Sequence, residues 1–470
     1  MKKLLVLLAL ILLALSLFAF AEEPETFMSG DFRYALLPDG TAEITKYSGD
    51  AESLDIPSVL DGYTVTSIGD RAFYNCGSLT AVTIPDSVTS IGDRAFSDCG
   101  SLTAVTIPDS VTSIGDLAFS DCYSLTAVTI PDSVTSVGVN PFVDCDELKS
   151  ISVSPEHPYL ATIDGVLFSK PDRRLVCYPC TFDASEYAIP QGIQIIGDGA
   201  FSACTGLTAV TIPDSVTSIG ERAFVYCDSL TAVTIPDSVT SIGDYAFYDC
   251  DSLTAIAIPD SVTSIGYGAF CHCERLFAVT IPDSVTSISD RAFEDCSSLT
   301  AVVIPDSVTS IGESAFFDCN SLTAVTIPDS VTSIGDCAFY ACTRLTAVTI
   351  PDSVTSIGED TFSGCESLTA VTIPDSVTSI GDRAFEDCSS LTAVVIPDSV
   401  TYIGHEAFSV CYSLTAVTIP DSVTSIGENA FSYCAESLTI TVGRDSYAAQ
   451  YCRENGLQYA YPDALDWLKG

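Results

Sequence analysis

The chain offers little with which to run a reaction. Histidine occurs three times, at His157, His272 and His405. These are far apart in the repeat order, so no Ser-His-Asp or Cys-His arrangement can be assembled from them. No glycine-rich phosphate loop and no zinc signature is present. No catalytic residue, cofactor or metal set is therefore named, and a non-enzyme is expected. Basic residues are also scarce, 18 Lys and Arg against 62 Asp and Glu, for a net charge of -44. Such a surface repels nucleic acid, which is held through cations on phosphate, and disfavours anionic membrane. Long apolar runs are lacking beyond the first 21 residues. That stretch has Lys2 and Lys3, then Leu4 to Phe18, then Ala19-Phe20-Ala21, the pattern of a secretory signal peptide cut after Ala21. No later run approaches the roughly 18 apolar residues of a membrane span. A secreted or extracellular location is expected, with association at a cell surface as its extension.

One sentence fills most of the remaining chain. Residues 79–96 read LTAVTIPDSVTSIGDRAF and residues 102–119 read LTAVTIPDSVTSIGDLAF. Phe73, Phe96, Phe119 and Phe142 lie 23 apart, as do the eleven phenylalanines from Phe201 to Phe431, which makes 15 units in two blocks. In LTAVTIP, Leu102, Val105 and Ile107 are expected to point inward, and Thr103, Ala104 and Thr106 outward. Pro108 stops the strand, because it has no N–H for a ladder. Val111 and Ile114 re-enter the core in a second, shorter extended segment. Gly115 recurs in 14 of 15 units, Ser289 being the exception. That uniformity reads as a backbone angle open to glycine. Asp116 stands where a helix N-cap would. One coil cannot bury its apolar side alone, so neighbours must complete it, and identical neighbours suit identical residues. At about 4.8 Å per coil the stack is roughly 70 Å long.

The unit L-x-x-V-x-I-P, then S-V-T-x-I-G, then A-F and Cys resembles the BspA-like, or Treponema-type, leucine-rich repeats. The resemblance covers about residues 54–440. It implies an α/β repeat: a curved leucine-rich-repeat solenoid with a strand-lined concave face, short helical or 3-10 segments on the convex side, about 15 coils, and small capping elements. It also implies a secreted or surface-exposed protein, in a family that includes adhesins.

The boundaries follow. Residues 1–21 are the signal peptide and 22–66 an N-terminal cap with a β-hairpin around Pro38-Asp39-Gly40. Repeats occupy 67–437, with an irregular hairpin insertion at about 149–188, and a C-terminal cap follows at 438–470. The insertion carries Lys170, Arg173 and Arg174, a rare basic cluster that reads as a projecting binding feature or as a tolerated excursion. Fifteen of the 20 cysteines are in register and are expected as a ladder of free buried thiols. Cys177 and Cys180 read as a local disulfide or two unrelated thiols. The Asp of each PDSVT, including Asp214, Asp237, Asp260 and Asp283, forms a row that is either solvated or a calcium ridge.

Comparing units within the chain places most variation after the Gly and around the Cys, at Arg94, Leu117, Tyr226, Tyr245, His272, His405 and Tyr412. The strand face is nearly constant, a Thr-Ala-x-Thr carpet that includes Thr80, Thr83, Thr103, Thr106, Thr126, Thr129, Thr208, Thr211, Thr231, Thr234, Thr323 and Thr326, with Phe277 as a departure. A repetitive lattice suits weak, multivalent contact with another repeated polymer. The expectation is a monomeric protein that adheres to an extracellular protein or glycan through this face. The alternative is a passive spacer, calcium-stabilised or not, with no dedicated ligand.

Overall fold

The computed structural model describes residues 25–182 and 184–462. Residues 1–21, read as a leader from their sequence, and the end of the expected C-terminal cap lie outside the described residues. The chain winds into a parallel β-solenoid of about 18 turns, three more than the phenylalanine count, because the caps and the insertion add turns of their own.

Each coil contributes two strands. Ala81–Thr83 pairs in parallel with Ala104–Thr106, and Ser90–Ile91 pairs with Ser113–Ile114. The inward triad is as the alternation requires: Leu102, Val105 and Ile107 are buried, and Thr103, Ala104 and Thr106 are exposed. Phenylalanine rings stack at 4.8 to 5.8 Å from Phe73 to Phe142, and again at 4.9 to 5.5 Å from Phe201 to Phe431. A tyrosine meets the spine at three places: Tyr47 on Phe73, Tyr178 on Phe201 and Tyr451 on Phe431.

The convex helices do not form. Among the described residues one α-helix exists, Tyr447–Glu454 in the C-terminal cap, with Ser446 as its N-cap. Elsewhere the segment after the glycine is a turn whose N–H groups alternate between the next coil and the carbonyl three residues back, as Ala95 to Gly92 O and Ser97 to Arg94 O. The N–H groups of Arg94, Phe96 and Asp98 donate to Asp116, Ala118 and Ser120 carbonyls at 2.7 to 3.0 Å. A helix would need those donors for its own i−4 carbonyls. Arg94 and Asp98 are left-handed, φ 52° and 60°, which also breaks a helix. Asp116 therefore caps nothing; its Oδ1 accepts the N–H of Val139 in the next coil at 2.7 Å.

Glycine recurs for space, not for a special angle. Gly115 is not among the positive-φ residues. A Cβ there would lie 2.6 Å from Asp93 N and from the carbonyl carbon of Gly92 in the coil below.

The insertion does not project. Val166–Ser169 and Arg174–Cys177 pair antiparallel, and the second pairs in parallel with Ile195–Ile196. Alternate side chains face opposite ways. Leu167, Val176 and Cys177 join the core of the N-terminal block, while Val166, Phe168 and Leu175 join the core of the C-terminal block. The hairpin is a two-sided plug that joins two stacks.

Candidate functional site

The strand-face threonines form two rows with different duties. In the first row the hydroxyl holds the stack: Thr103 donates to Thr80 O at 3.0 Å, Thr126 to Thr103 O at 3.4 Å and Thr231 to Thr208 O at 3.2 Å. Thr80, Thr208 and Thr323 do the same toward Glu52, Ser185 and Thr300. The second row, Thr83, Thr106, Thr129, Thr211, Thr234 and Thr326, is exposed. Its hydroxyls make no hydrogen bond within the described residues. Phe277 stands in the first row, 52% exposed, with Val303 of the next coil 75% exposed in the second.

The basic residues of the insertion are largely occupied. Lys170 Nζ donates to His157 O at 2.6 Å. Arg174 pairs with Asp172 at 3.1 Å and donates to Val137 O. Arg173 is exposed and left-handed at the hairpin turn. His157 is fully buried and ties the loop down: its Nδ1 accepts from Tyr159 and Leu160 N–H. Asp214, Asp237, Asp260 and Asp283 are exposed, one per coil. Among the described residues no three metal-ligating side chains converge.

The cysteine ladder is a hydrogen-bonded structural column. Cys99, Cys122 and Cys227 donate to the Phe carbonyl of the coil below at 3.1 to 3.2 Å. One rung departs from the free thiols expected: Cys204 is disulfide-bonded to Cys180, and Cys177 is a free buried thiol. The insertion supplies the coil beneath Cys204, which puts a second sulfur within reach. Burial pushes the thiols up, to about 12 at Cys122, Cys177, Cys273 and Cys365. Native protein treated with iodoacetamide near neutrality, where even an unperturbed thiol is mostly protonated, is expected to react only at the half-buried Cys76, Cys337 and Cys434. Denatured protein should react at 18 positions, the 20 cysteines less the two in the disulfide. Rapid native labelling of Cys250 or Cys296 would contradict a closed ladder.

A cleft opens on the turn side beside the insertion. Five of the seven variable positions named from the sequence line it: Arg94, Leu117, Tyr226, Tyr245 and His272. It has a volume of about 730 Å³. Its tyrosines pack edge to face, Tyr226 on Tyr248 at 5.7 Å and Tyr245 on Tyr248 at 5.6 Å, and Tyr248 meets His272 at 5.2 Å. Arg222 lies 5.3 Å from the Tyr245 ring centre. The signal was present in the sequence as departures from the repeat, but nothing there places those departures in one cavity.

Two parallel strand columns, an inward Leu-Val-Ile triad and a hydrogen-bonded cysteine turn define a leucine-rich-repeat solenoid. More narrowly, the chain belongs to the BspA type leucine rich repeat family, whose region of six copies matches residues 50–172, 174–300, 286–385 and 309–439. A leucine-rich repeat protein from Bacteroides ovatus is similar at 29% identity over 93% of this chain and 99% of its own, with a TM-score of 0.50. One from Eubacterium ventriosum is 25% identical over 78% and 95%, TM-score 0.51. A leucine rich cell surface protein from Faecalibacterium prausnitzii is 31% identical over 93% and 98%, TM-score 0.46. No curated protein sequence matches the chain. Among the described residues no helix is long and apolar enough to cross a membrane.

Proposed function

We propose that this is an extracellular binding protein that adheres to another protein or glycan through its Ala-Val-Thr strand face. The observation that carries the reading is the second threonine row. It repeats at coil spacing and faces solvent, and its hydroxyls have no structural task. Many weak contacts at a fixed spacing sum to avidity against a partner that also repeats. The leader-like first 21 residues and the Cys180–Cys204 disulfide support an oxidising, extracytoplasmic setting.

The test is capture of matrix proteins, cell-wall and plant polysaccharides, and whole bacterial cells on the immobilised mature chain. Thr106→Glu with Thr129→Glu is expected to lower capture at least tenfold, because two charges desolvate poorly in a contact face. The melting temperature should move by no more than about 2 °C, as exposed substitutions away from structural bonds do. Saturable capture that the double variant leaves intact would remove the strand face as the site. No saturable capture of any kind would favour the spacer reading.

A further inference from the structure

The turn-side cleft is a by-product of how the insertion imitates a coil. In a regular coil the core phenylalanine lies five positions after the core isoleucine, as Phe96 does after Ile91. In the insertion Leu175 takes the isoleucine place, since it pairs with Ile196, and Tyr178 takes the phenylalanine place against Phe201. Only two residues, Val176 and Cys177, stand between them, against four between Ile91 and Phe96. The two that would project from the turn are missing, so the turn face is notched at this rung. Asn140 bridges the gap, its side-chain amide donating to Gly199 O at 2.7 Å. Residues of both blocks then face one cavity.

What lines the notch is not what the fold asks for. The position of Tyr226 and His272 is Asp in several coils, at Asp98, Asp121, Asp249 and Asp295, and is held by Ala203, Ala341, Val410 or Tyr433 in others; it is left-handed in all of these. Asp tolerates that region far better than a bulky ring. Tyr226 at φ 59° and His272 at 58° place rings at this left-handed position, and Tyr245 at 54° adds a third from the left-handed position four residues earlier in its own coil's turn. Gly268 leaves room for the array, as a Cβ there would lie 2.9 Å from the Tyr245 ring. Glu294 adds a carboxylate oxygen that is buried and lacks a hydrogen bond, 3.6 Å from Arg291 Nε.

We infer that this cleft is a second, discrete binding site and that its ligand is a neutral oligosaccharide. The volume lies within the range of small-ligand sites. Asp93, Asp116, Asp144, Asp198, Glu221 and Glu294 exclude an anionic ligand, and Arg94, Arg222 and Arg291, set among them, oppose a cationic one. A sugar chain uses both sets at once: its hydroxyls accept from guanidinium and donate to carboxylate. Its C–H faces meet the negative faces of tyrosine rings. The inference does not rest on the strand-face reading.

The test is isothermal titration of the full mature chain with cellotetraose, xylotetraose, mannotetraose and chitotetraose, alongside an oligogalacturonate and an oligo-arginine peptide. Variants Tyr226→Gly and Tyr245→Gly remove rings at left-handed positions that glycine accepts without strain, so the fold is retained and a thermal melt verifies it. The expected result is saturable binding of at least one neutral tetramer, weakened at least tenfold by the Tyr variants and unchanged by Thr106→Glu with Thr129→Glu. Binding lost only in the threonine variant would give the sugar to the strand face and overturn the cleft. So would no neutral sugar binding, or binding of the charged probes alone.

Discussion

Gly266→Ala is expected to be among the most damaging single substitutions in the chain, at about 3–5 kcal/mol, read as the shift of a denaturant midpoint. Overpacking accounts for about 1–3 kcal/mol of that figure, and lost inter-coil hydrogen bonds at about 1 kcal/mol each supply the rest. The added Cβ would sit 2.4 Å from the Gly243 carbonyl carbon and 2.5 Å from Asp244 N. Both are backbone atoms, so neither can swing aside. The coils must part, and Gly266 N to Ile242 O, 3.0 Å, is the first bond to go. Because a solenoid is stabilised by nearest-neighbour interfaces, one opened interface also weakens cooperativity and should lower the m-value. Nature has made a version of this change at Ser289. In the C-terminal block the short-strand ladder breaks at two steps, from Ser264–Ile265 to Ser287–Ile288 and from Ser333–Ile334 to Ser356–Ile357, and the second step keeps its glycine, Gly358. At the first step Ser289 bonds to Ile265 O through its hydroxyl, where glycine would use its N–H. Ser289→Gly is accordingly expected to stabilise by about 1–2 kcal/mol, through one or two restored inter-coil bonds. A cost below about 1 kcal/mol for Gly266→Ala, or a loss on Ser289→Gly, would sink the close-stacking account.

The same glycine shows where sequence reasoning stops. Period, inward triad and strand breaks are local patterns, and they locate the two strand columns and the Phe spine residue by residue. The reason for the glycine is a contact 23 residues away, which a single unit does not contain. The absent helices are a second case. D-x-A-F reads as a capped helical start, yet the coil above offers carbonyls to Arg94, Phe96 and Asp98, and these inter-coil bonds take the donors an α-helix would use for its own turns. The insertion is the third. Its runs VLF and LVCY have no polar alternation, the mark of strands buried on both faces, and that signal was available. The cleft was half legible: the deviant residues stand out against the repeat. Their convergence depends on a rung two residues short, visible only once Leu175 and Tyr178 are seen to occupy the Ile and Phe places.

Acid is expected to stabilise this protein before it harms it. Asp121, Asp249, Asp295, Glu386 and Asp387 are partly buried on the turn side and have carboxyls held above the usual range, first by that burial and then, for most of them, by neighbouring carboxylates; the exposed Asp146 and Asp228 shift the same way. A carboxyl with a raised native pKa binds more protons folded than unfolded at intermediate pH. By linkage, stability then falls as pH rises through that window and is regained as pH is lowered. Asp39 runs the other way, held low by its bonds to Thr41, but it is one group against seven. The melting temperature should therefore climb as pH is lowered from 7 toward the usual carboxylate range of about 4. Sodium chloride separates the two causes. Salt screens repulsion between exposed charges, including much of the -44 net charge, but it does not restore water to a half-buried carboxyl. At about 1 M salt, where the Debye length is near 3 Å, a residual rise from pH 7 to 5 should persist. A melting temperature that is flat or falling over that interval would contradict the burial of the turn-side carboxyls. A rise that salt removes entirely would leave surface repulsion as its sole cause.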